Sequence, residues 1–139
     1  MSLQATLLPL FVQVSLTFAL LAWLAHLRTS VLNRKEVRES DIALGQKAWP
    51  EKLLKVGNSF QSQLELPVLF YVLVILAIIA HKDDLAFVIL SWLFVAARLA
   101  HAYIHTGSNI VRVRGPIYGI GMLILITMWV IFAVRILAA

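Results

Sequence analysis

Cysteine is absent from this 139-residue chain. That removes disulfides, iron–sulfur clusters and a protein thiol nucleophile, so any thiol chemistry has to arrive with a ligand. Charge is scarce as well: Asp, Glu, Lys and Arg make up 14% of the residues, against about a quarter in soluble domains. Acidic side chains number only seven against twelve Lys and Arg. No internal repeat, low-complexity tract or soluble second domain is visible. The N-terminal MSLQATLLPL has no basic residue ahead of its apolar run, and that run is too long for a signal peptide, so it is read as a retained helix.

What fills the chain is hydrocarbon. Apolar residues make up 61% of it, which places it outside the soluble globular class and among integral membrane proteins. Four apolar segments, at about residues 5–27, 64–80, 85–104 and 117–134, each approach the ~20 residues a helix needs to cross the hydrocarbon core. The expected fold is an all-α membrane protein. It is a single antiparallel bundle of four transmembrane helices over 1–139, with helices at about 5–33, 50–80, 84–106 and 115–137.

The net charge of +5 resolves by position. Arg28, Arg34, Lys35, Arg38, Lys47, Lys52 and Lys55 fall in or beside the first connection, and Arg112 and Arg114 around the third, whereas the second connection, HKDD, has one lysine against two aspartates. With four spans, connections one and three share a side. The positive-inside rule makes that side cytoplasmic and both termini external. The basicity is therefore a topology signal, with some attraction to anionic membrane lipid, and implies no nucleic-acid partner.

The longest polar stretch, 28–63, is expected to be partly helical. Pro50 suits a first helical position, Glu51 the positive end of the dipole, and Leu53, Leu54, Val56 and Phe60 recur at helical spacing. A helix from Pro50 to about Ala80 would be roughly 46 Å long against a core of about 30 Å, so its first turns stand in the cytoplasm. Pro67 inside it removes a backbone hydrogen bond and favours a kink. The HKDD connection makes helices two and three neighbours. Gly107 with Ser108 and Asn109 ends helix three, and helix four opens near Gly115-Pro116. Gly115 and Gly119, four apart, suit close approach of another helix more than contact with a ligand.

Within the apolar run of helix three lies RLAHAYIH, residues 98–105. Ionisable groups at such depth cost several kcal/mol and face a partner, a cavity or a ligand. Arg98, His101 and His105 stand at i, i+3 and i+7. Asn58, Gln61 and Glu65 repeat that arithmetic on helix two, so each set forms one stripe. Arg114 and Tyr118, at i and i+4, share a face of helix four. All three stripes lie toward the cytoplasmic end. One account is an interhelical network centred on a Glu65–Arg98 pair. The other is a pocket whose cations, more than Glu65 can neutralise, require an anionic guest. No metal is expected: His101 and His105 have ligand spacing, but the adjacent arginine repels a cation. His26, His81 and the tryptophans at 23, 49, 92 and 129 read as interfacial groups.

NSFQSQLELPVLFYVLVILA, followed by ARLAHAYIHTGSNIVRVRGPIYGIG, resembles the membrane-associated proteins in eicosanoid and glutathione metabolism (MAPEG), and within them the bacterial branch. The resemblance is strongest in LELPVLFY and in R-L-A-H followed by R-G-P-I-Y. It implies four-helix subunits assembled as a homotrimer in a bacterial inner membrane, with glutathione as co-substrate between neighbouring subunits. Glu65 matches the glutamate that meets the glutathione amine. Arg98 and His101 match an Arg-x-x-His motif, and Arg114 and Tyr118 match the catalytic arginine and tyrosine, the arginine being the usual stabiliser of the thiolate. His105 stands where many relatives have tyrosine. A basic residue of helix one often reaches a carboxylate, a role open to Arg28 or Arg34. The family's Arg-Asn pair ahead of the glutamate is replaced by Gln61 and Ser62, and Gln cannot reproduce the two charge-assisted bonds of an arginine fork.

Two functions follow from that resemblance. One is a glutathione-dependent transferase or peroxidase acting on a lipophilic electrophile or lipid hydroperoxide. The other is a non-catalytic lipid-binding or scaffold protein on the same fold, which the altered Gln61, Ser62 and His105 favour. A proton or ion path through His101, His105 and Glu65 has little support, because stripes at one depth do not cross the membrane.

Overall fold

A computed structural model describes residues 2–44 and 48–138; Lys47, counted above with the first connection, lies outside the described residues. Among the described residues the structure is helical, without strands. The elements are α1 (Leu3–Asn33), α2 (Glu39–Ile42), α3 (Glu51–Ser62), α4 (Leu66–Ile79), α5 (Leu85–Thr106) and α6 (Val111–Leu137). Four stretches, Leu3–Asn33, Glu51–Ile79, Leu85–Thr106 and Val111–Leu137, are long and apolar enough to cross a membrane. The fold is the expected all-α four-helix membrane bundle. One end, here the basic end, carries the first and third connections; the far end carries both termini and the α4–α5 turn.

α5 is the hub, packing against α1, α3 and α6. Phe70, Leu73, Val74 and Ala77 of α4 meet Phe94 and Val95 of α5 and Leu125 and Met128 of α6 in one core, where the Phe70 and Phe94 rings stack at 4.8 Å between centroids. A second cluster joins Leu24 and Val31 of α1 to Leu53 and Val56 of α3. The outer faces of α1, α4 and α6 expose Phe11, Phe18, Ile79, Leu123 and Val134. In water that would be an aggregation surface, whereas lipid solvates it without penalty.

Helix two is not one helix. The expected kink at Pro67 is a break: α3 stops at Ser62 and α4 starts at Leu66. The proline ring would collide with the carbonyl four residues back, that of Gln63, and brings no N–H to the ladder. The chain responds by tightening. Gln63, Leu64 and Glu65 donate their N–H groups to Phe60, Gln61 and Ser62, three residues back, and Glu65 takes φ −100 and ψ −105. Helix four also departs from expectation, opening at Val111 rather than near Gly115, with Pro116 inside it. Asn109 at φ 53 makes the reversal, so Ile110 is free to cap and to accept from the Arg114 N–H at 2.8 Å. Arg112 and Arg114 therefore lie in the first turns of α6.

Two lysines of α3 cover the end of α5. Lys52 Nζ donates to the Thr106 carbonyl and Lys55 Nζ to that of Gly107, both at 3.0 Å, neutralising orphaned acceptors at the negative end of the helix dipole.

At the far end Asp84 caps α5, its Oδ1 accepting from the Phe87 N–H at 3.0 Å, and its Oδ2 pairs with Arg135 of α6 at 2.8 Å. Partial desolvation pushes this carboxyl up. The Phe87 N–H and the Arg135 guanidinium outweigh it, holding Asp84 below its ordinary 3.8. A depressed carboxyl stabilises the fold above its unfolded value and loses that contribution as pH falls through the folded one. Asp84→Ala is therefore expected to cost about 1 kcal/mol, the usual worth of a cap. In thermal melts in detergent this deficit is present at neutral pH and closes as the solution is acidified below 3.8.

Candidate functional site

The three polar stripes converge at the basic end around an open recess of about 480 Å³. The last turn of α3 brings Asn58, Gln61 and Ser62 to it, and the α3–α4 break brings Glu65. α5 supplies His101 and His105, and the first two turns of α6 supply Arg114, Gly115 and Tyr118. A straight helix through 63–65 would carry Glu65 on regular α-helical geometry. The break sets its carboxylate at the rim, exposed, where Tyr118 Oη donates to Oε1 at 3.5 Å, the long limit of a hydrogen bond.

Arg98 is 1% exposed and does not line the recess. It stands directly behind two of its walls: Nη2 donates to Ser62 Oγ, and the guanidinium carbon lies 5.5 Å from the centre of the Tyr118 ring, a cation–π contact. Its Nε and Nη1 have no partner. Among the described residues no carboxylate forms an ion pair with it, so the Glu65–Arg98 pair of the network account is not formed, which leaves the pocket account. The guanidinium is a buried cation with no carboxylate in direct contact among the described residues, at the back of a recess open on its other side.

His101 and His105 are both buried, their rings edge to face with centroids 5.1 Å apart. His101 also lies 5.3 Å from the Tyr118 ring. The Nδ1 of each histidine is buried and unpartnered. Arg114 is half-buried and anchored by Nη1 donating to Asn109 Oδ1 at 2.6 Å, which leaves the rest of its fork toward the recess. Because α6 starts at Val111, the positive end of its dipole adds to this charge. Among the described residues no group of three or more His, Asp or Glu could hold a metal ion.

Arg28 and Arg34 do not line the recess. Arg28 lies 5.6 Å over the Trp49 ring, and Arg34 is exposed at the C-cap of α1. Gly115 and Gly119, whose spacing suits a close helix, have nothing within 4 Å of the position a Cβ would take. Among the described residues no helix packs closely there. Gly121, further along α6, faces α5, and a Cβ there would make ordinary contact with Ala97 Cβ at 3.7 Å and Arg98 Cδ at 4.0 Å.

Sequence reading missed the support of the break. Gln13 of α1 is fully buried and donates through Nε2 to Gln63 Oε1 at 2.8 Å, while Gln63 Nε2 donates to the Ser59 carbonyl at 2.9 Å. This pair fixes Gln63 inward, so Ser62 and Glu65 on either side face the recess. The signal was available: Gln13 is the lone amide in the apolar run of helix one, and such a group in lipid seeks a partner. Gln13→Leu leaves Gln63 Oε1 buried without its donor and is expected to cost about 1–3 kcal/mol, measured as a lower melting temperature.

A smaller enclosed cavity of about 20 Å³ at the far end, between Phe87, Met128 and Phe132, has room for about one water.

No curated protein and no solved structure matches the sequence. A family model, that of the MAPEG family, matches residues 6–134, which takes in all four spanning helices and every residue of the recess, and the chain belongs to that family.

Proposed function

We propose that the recess binds glutathione and that the protein is a glutathione-dependent membrane transferase or peroxidase for lipophilic electrophiles or lipid hydroperoxides. It belongs on this reading to the bacterial branch of the family and works as a homotrimer in the inner membrane, termini outside and the basic end in the cytoplasm. Membership of a family named for glutathione and eicosanoid metabolism supports this. The observation that carries it is Arg98: a buried guanidinium with two unpartnered nitrogens, behind a recess in which, among the described residues, the one carboxylate is the exposed Glu65. Such a charge is costly unless an anion neutralises it. Glutathione brings two carboxylates, and its amine suits Glu65. Gln61, Ser62, His101 and His105 would supply neutral hydrogen bonds, Arg114 and Tyr118 would face the sulfur, and Arg28 or Arg34 would reach in from a neighbouring subunit.

The replacement of the family's Arg-Asn pair by Gln61 and Ser62 favours the second reading, a lipid-binding or scaffold protein. Ser62 Oγ is also already engaged by Arg98. Calorimetry on the purified protein separates the two. Saturable binding of glutathione, with conjugation of a chlorinated nitrobenzene, supports the enzyme. An absence of heat at millimolar glutathione leaves only the lipid or scaffold role.

A further inference from the structure

On the side of α5 away from the recess, an apolar groove of about 270 Å³ runs between α1 and α5. Its walls are Leu16, Leu20 and Trp23 on one side and Leu99, Ala102 and Tyr103 on the other. The residues recur at i, i+4 and i+7 on α1 and at i, i+3 and i+4 on α5, so each wall is one helical stripe parallel to the spans. Ala102, with Ala19 facing the same groove, leaves the two helices short of filling the space between them. In water such a slot would be a defect. Surrounded by hydrocarbon, it is a seat for a chain of the same chemistry, and filling it recovers the dispersion contacts a void forfeits.

The groove has a polar end. At the basic end of the bundle Lys52 Nζ lies 4.7 Å over the Trp23 ring and donates to the carbonyl of Thr106, itself a lining residue. An ammonium has three donors, and the Thr106 bond uses one. Among the described residues Lys52 forms no ion pair, unlike Lys55, which meets Glu51 at 3.5 Å. Tyr103, 82% exposed, and Trp23, 37% exposed, flank this end as aromatic groups do at the level of lipid headgroups. An acyl-sized slot thus runs up to an unpaired, aromatic-backed cation at the membrane boundary.

We infer that the α1–α5 groove is a binding site for an anionic phospholipid, one acyl chain lying between Leu20 and Leu99 and the phosphate meeting Lys52. The inference is independent of glutathione chemistry, because the groove and the recess lie on different faces of α5. The full-length protein in nanodiscs provides the test, with phosphatidylglycerol or phosphatidylcholine brominated on the acyl chains as the probe. The quenching that belongs to Trp23 is the part lost in Trp23→Phe. Brominated phosphatidylglycerol should quench it at about five-fold lower mole fraction than phosphatidylcholine, the ratio that about 1 kcal/mol per lysine supplies. Lys52→Gln should make the two lipids equivalent, and Lys52→Arg should restore the preference. Ala102→Phe, which fills the slot, should weaken quenching by both lipids. Equal quenching by the two lipids in the parent protein, or a preference that survives Lys52→Gln, overturns the proposal. Absence of Trp23 quenching by either lipid also overturns it, since the groove is then covered by protein, as a second copy of the chain would do.

Discussion

Arg98→Met is expected to make the ligand-free protein more stable and to remove its response to glutathione. The two effects have opposite practical signs and share one cause. Burying a guanidinium costs several kcal/mol even after relaxation. In this chain the return is one hydrogen bond to Ser62, worth about 1.5–3 kcal/mol for a charged donor, and one contact with the Tyr118 ring, worth about 0.5–2 kcal/mol. Nε and Nη1 contribute nothing. Methionine fills similar volume, keeps an unbranched apolar stem in the same place, and carries no charge. Ser62 can turn its hydroxyl to a backbone carbonyl one turn back, as helical serines do, so it need not be orphaned. The expected gain is about 1–3 kcal/mol, at the modest end of what removal of buried charge has yielded elsewhere.

Glutathione at a hundred times its Kd would stabilise the parent protein by about 2.7 kcal/mol, and that increment should disappear in the variant. Melting temperatures with and without glutathione measure both quantities. A variant less stable than its parent without ligand would show that Arg98 is satisfied by the protein itself. An unchanged glutathione response would show that its charge is not felt in the recess. Either outcome removes the observation on which the proposed function rests.

The sequence was most informative where a periodic pattern meets a strong physical cost. Four spans are legible because apolar runs of about 20 residues suit a membrane-crossing helix, whose backbone groups are all satisfied within the segment. The stripes of Asn58, Gln61 and Glu65, of Arg98, His101 and His105, and of Arg114 and Tyr118 follow from 3.6 residues per turn, and all of these but Arg98 line one recess. What the pattern could not carry was direction beyond the stripe. Arg98 shares a face with His101 and His105, yet it lies behind the recess wall, where its Nη2 donates to Ser62 Oγ. Pro67 was readable as a disturbance. The break is also tied to α1 through Gln13, 50 residues away from Gln63 in sequence, and no local propensity reports such a contact. Helix four starts early because Asn109 tolerates a left-handed φ, a property of asparagine that the more conspicuous Gly115-Pro116 hid.

The lysines illustrate the same limit from the other side. Lys52 and Lys55 counted toward topology as bare charges, and the positive-inside rule uses them only so. In the folded chain they also close α5 through the Thr106 and Gly107 carbonyls. Charge counting and capping use the same side chains, and only coordinates separate the two roles.

For Arg114→Ala the expected loss is in turnover. Arg114 approaches the recess from the start of α6, held by Asn109 at 2.6 Å, so its fork is oriented before any ligand arrives. A thiolate there would meet a fixed guanidinium and the positive end of a helix, the two features that most effectively lower a thiol pKa from its usual ~8.5. Loss of one such preorganised donor typically lowers kcat by about 10²–10³-fold. Affinity for glutathione should fall far less, since Arg98 and Glu65 act on other parts of the molecule.

The rate of conjugation should also shift to higher pH in the variant, as the nucleophile reverts toward an ordinary thiol. Arg114→Lys retains charge but lacks the planar fork that Asn109 grips, so it should recover part of the rate and part of the pH profile. Tyr118 tests whether the arginine acts alone. Its hydroxyl is turned to Glu65 at 3.5 Å, a bond weak enough to yield once the ligand's amine occupies that carboxylate, freeing the phenol for the sulfur. Tyr118→Phe should then cost turnover on its own, by about 10-fold at the least if it supplies one hydrogen bond of about 1.4 kcal/mol to the transition state. Should Arg114→Ala leave the rate and its pH dependence as they were, the thiolate is stabilised elsewhere. Glutathione bound in this recess would then be cargo or anchor, and not a reactant.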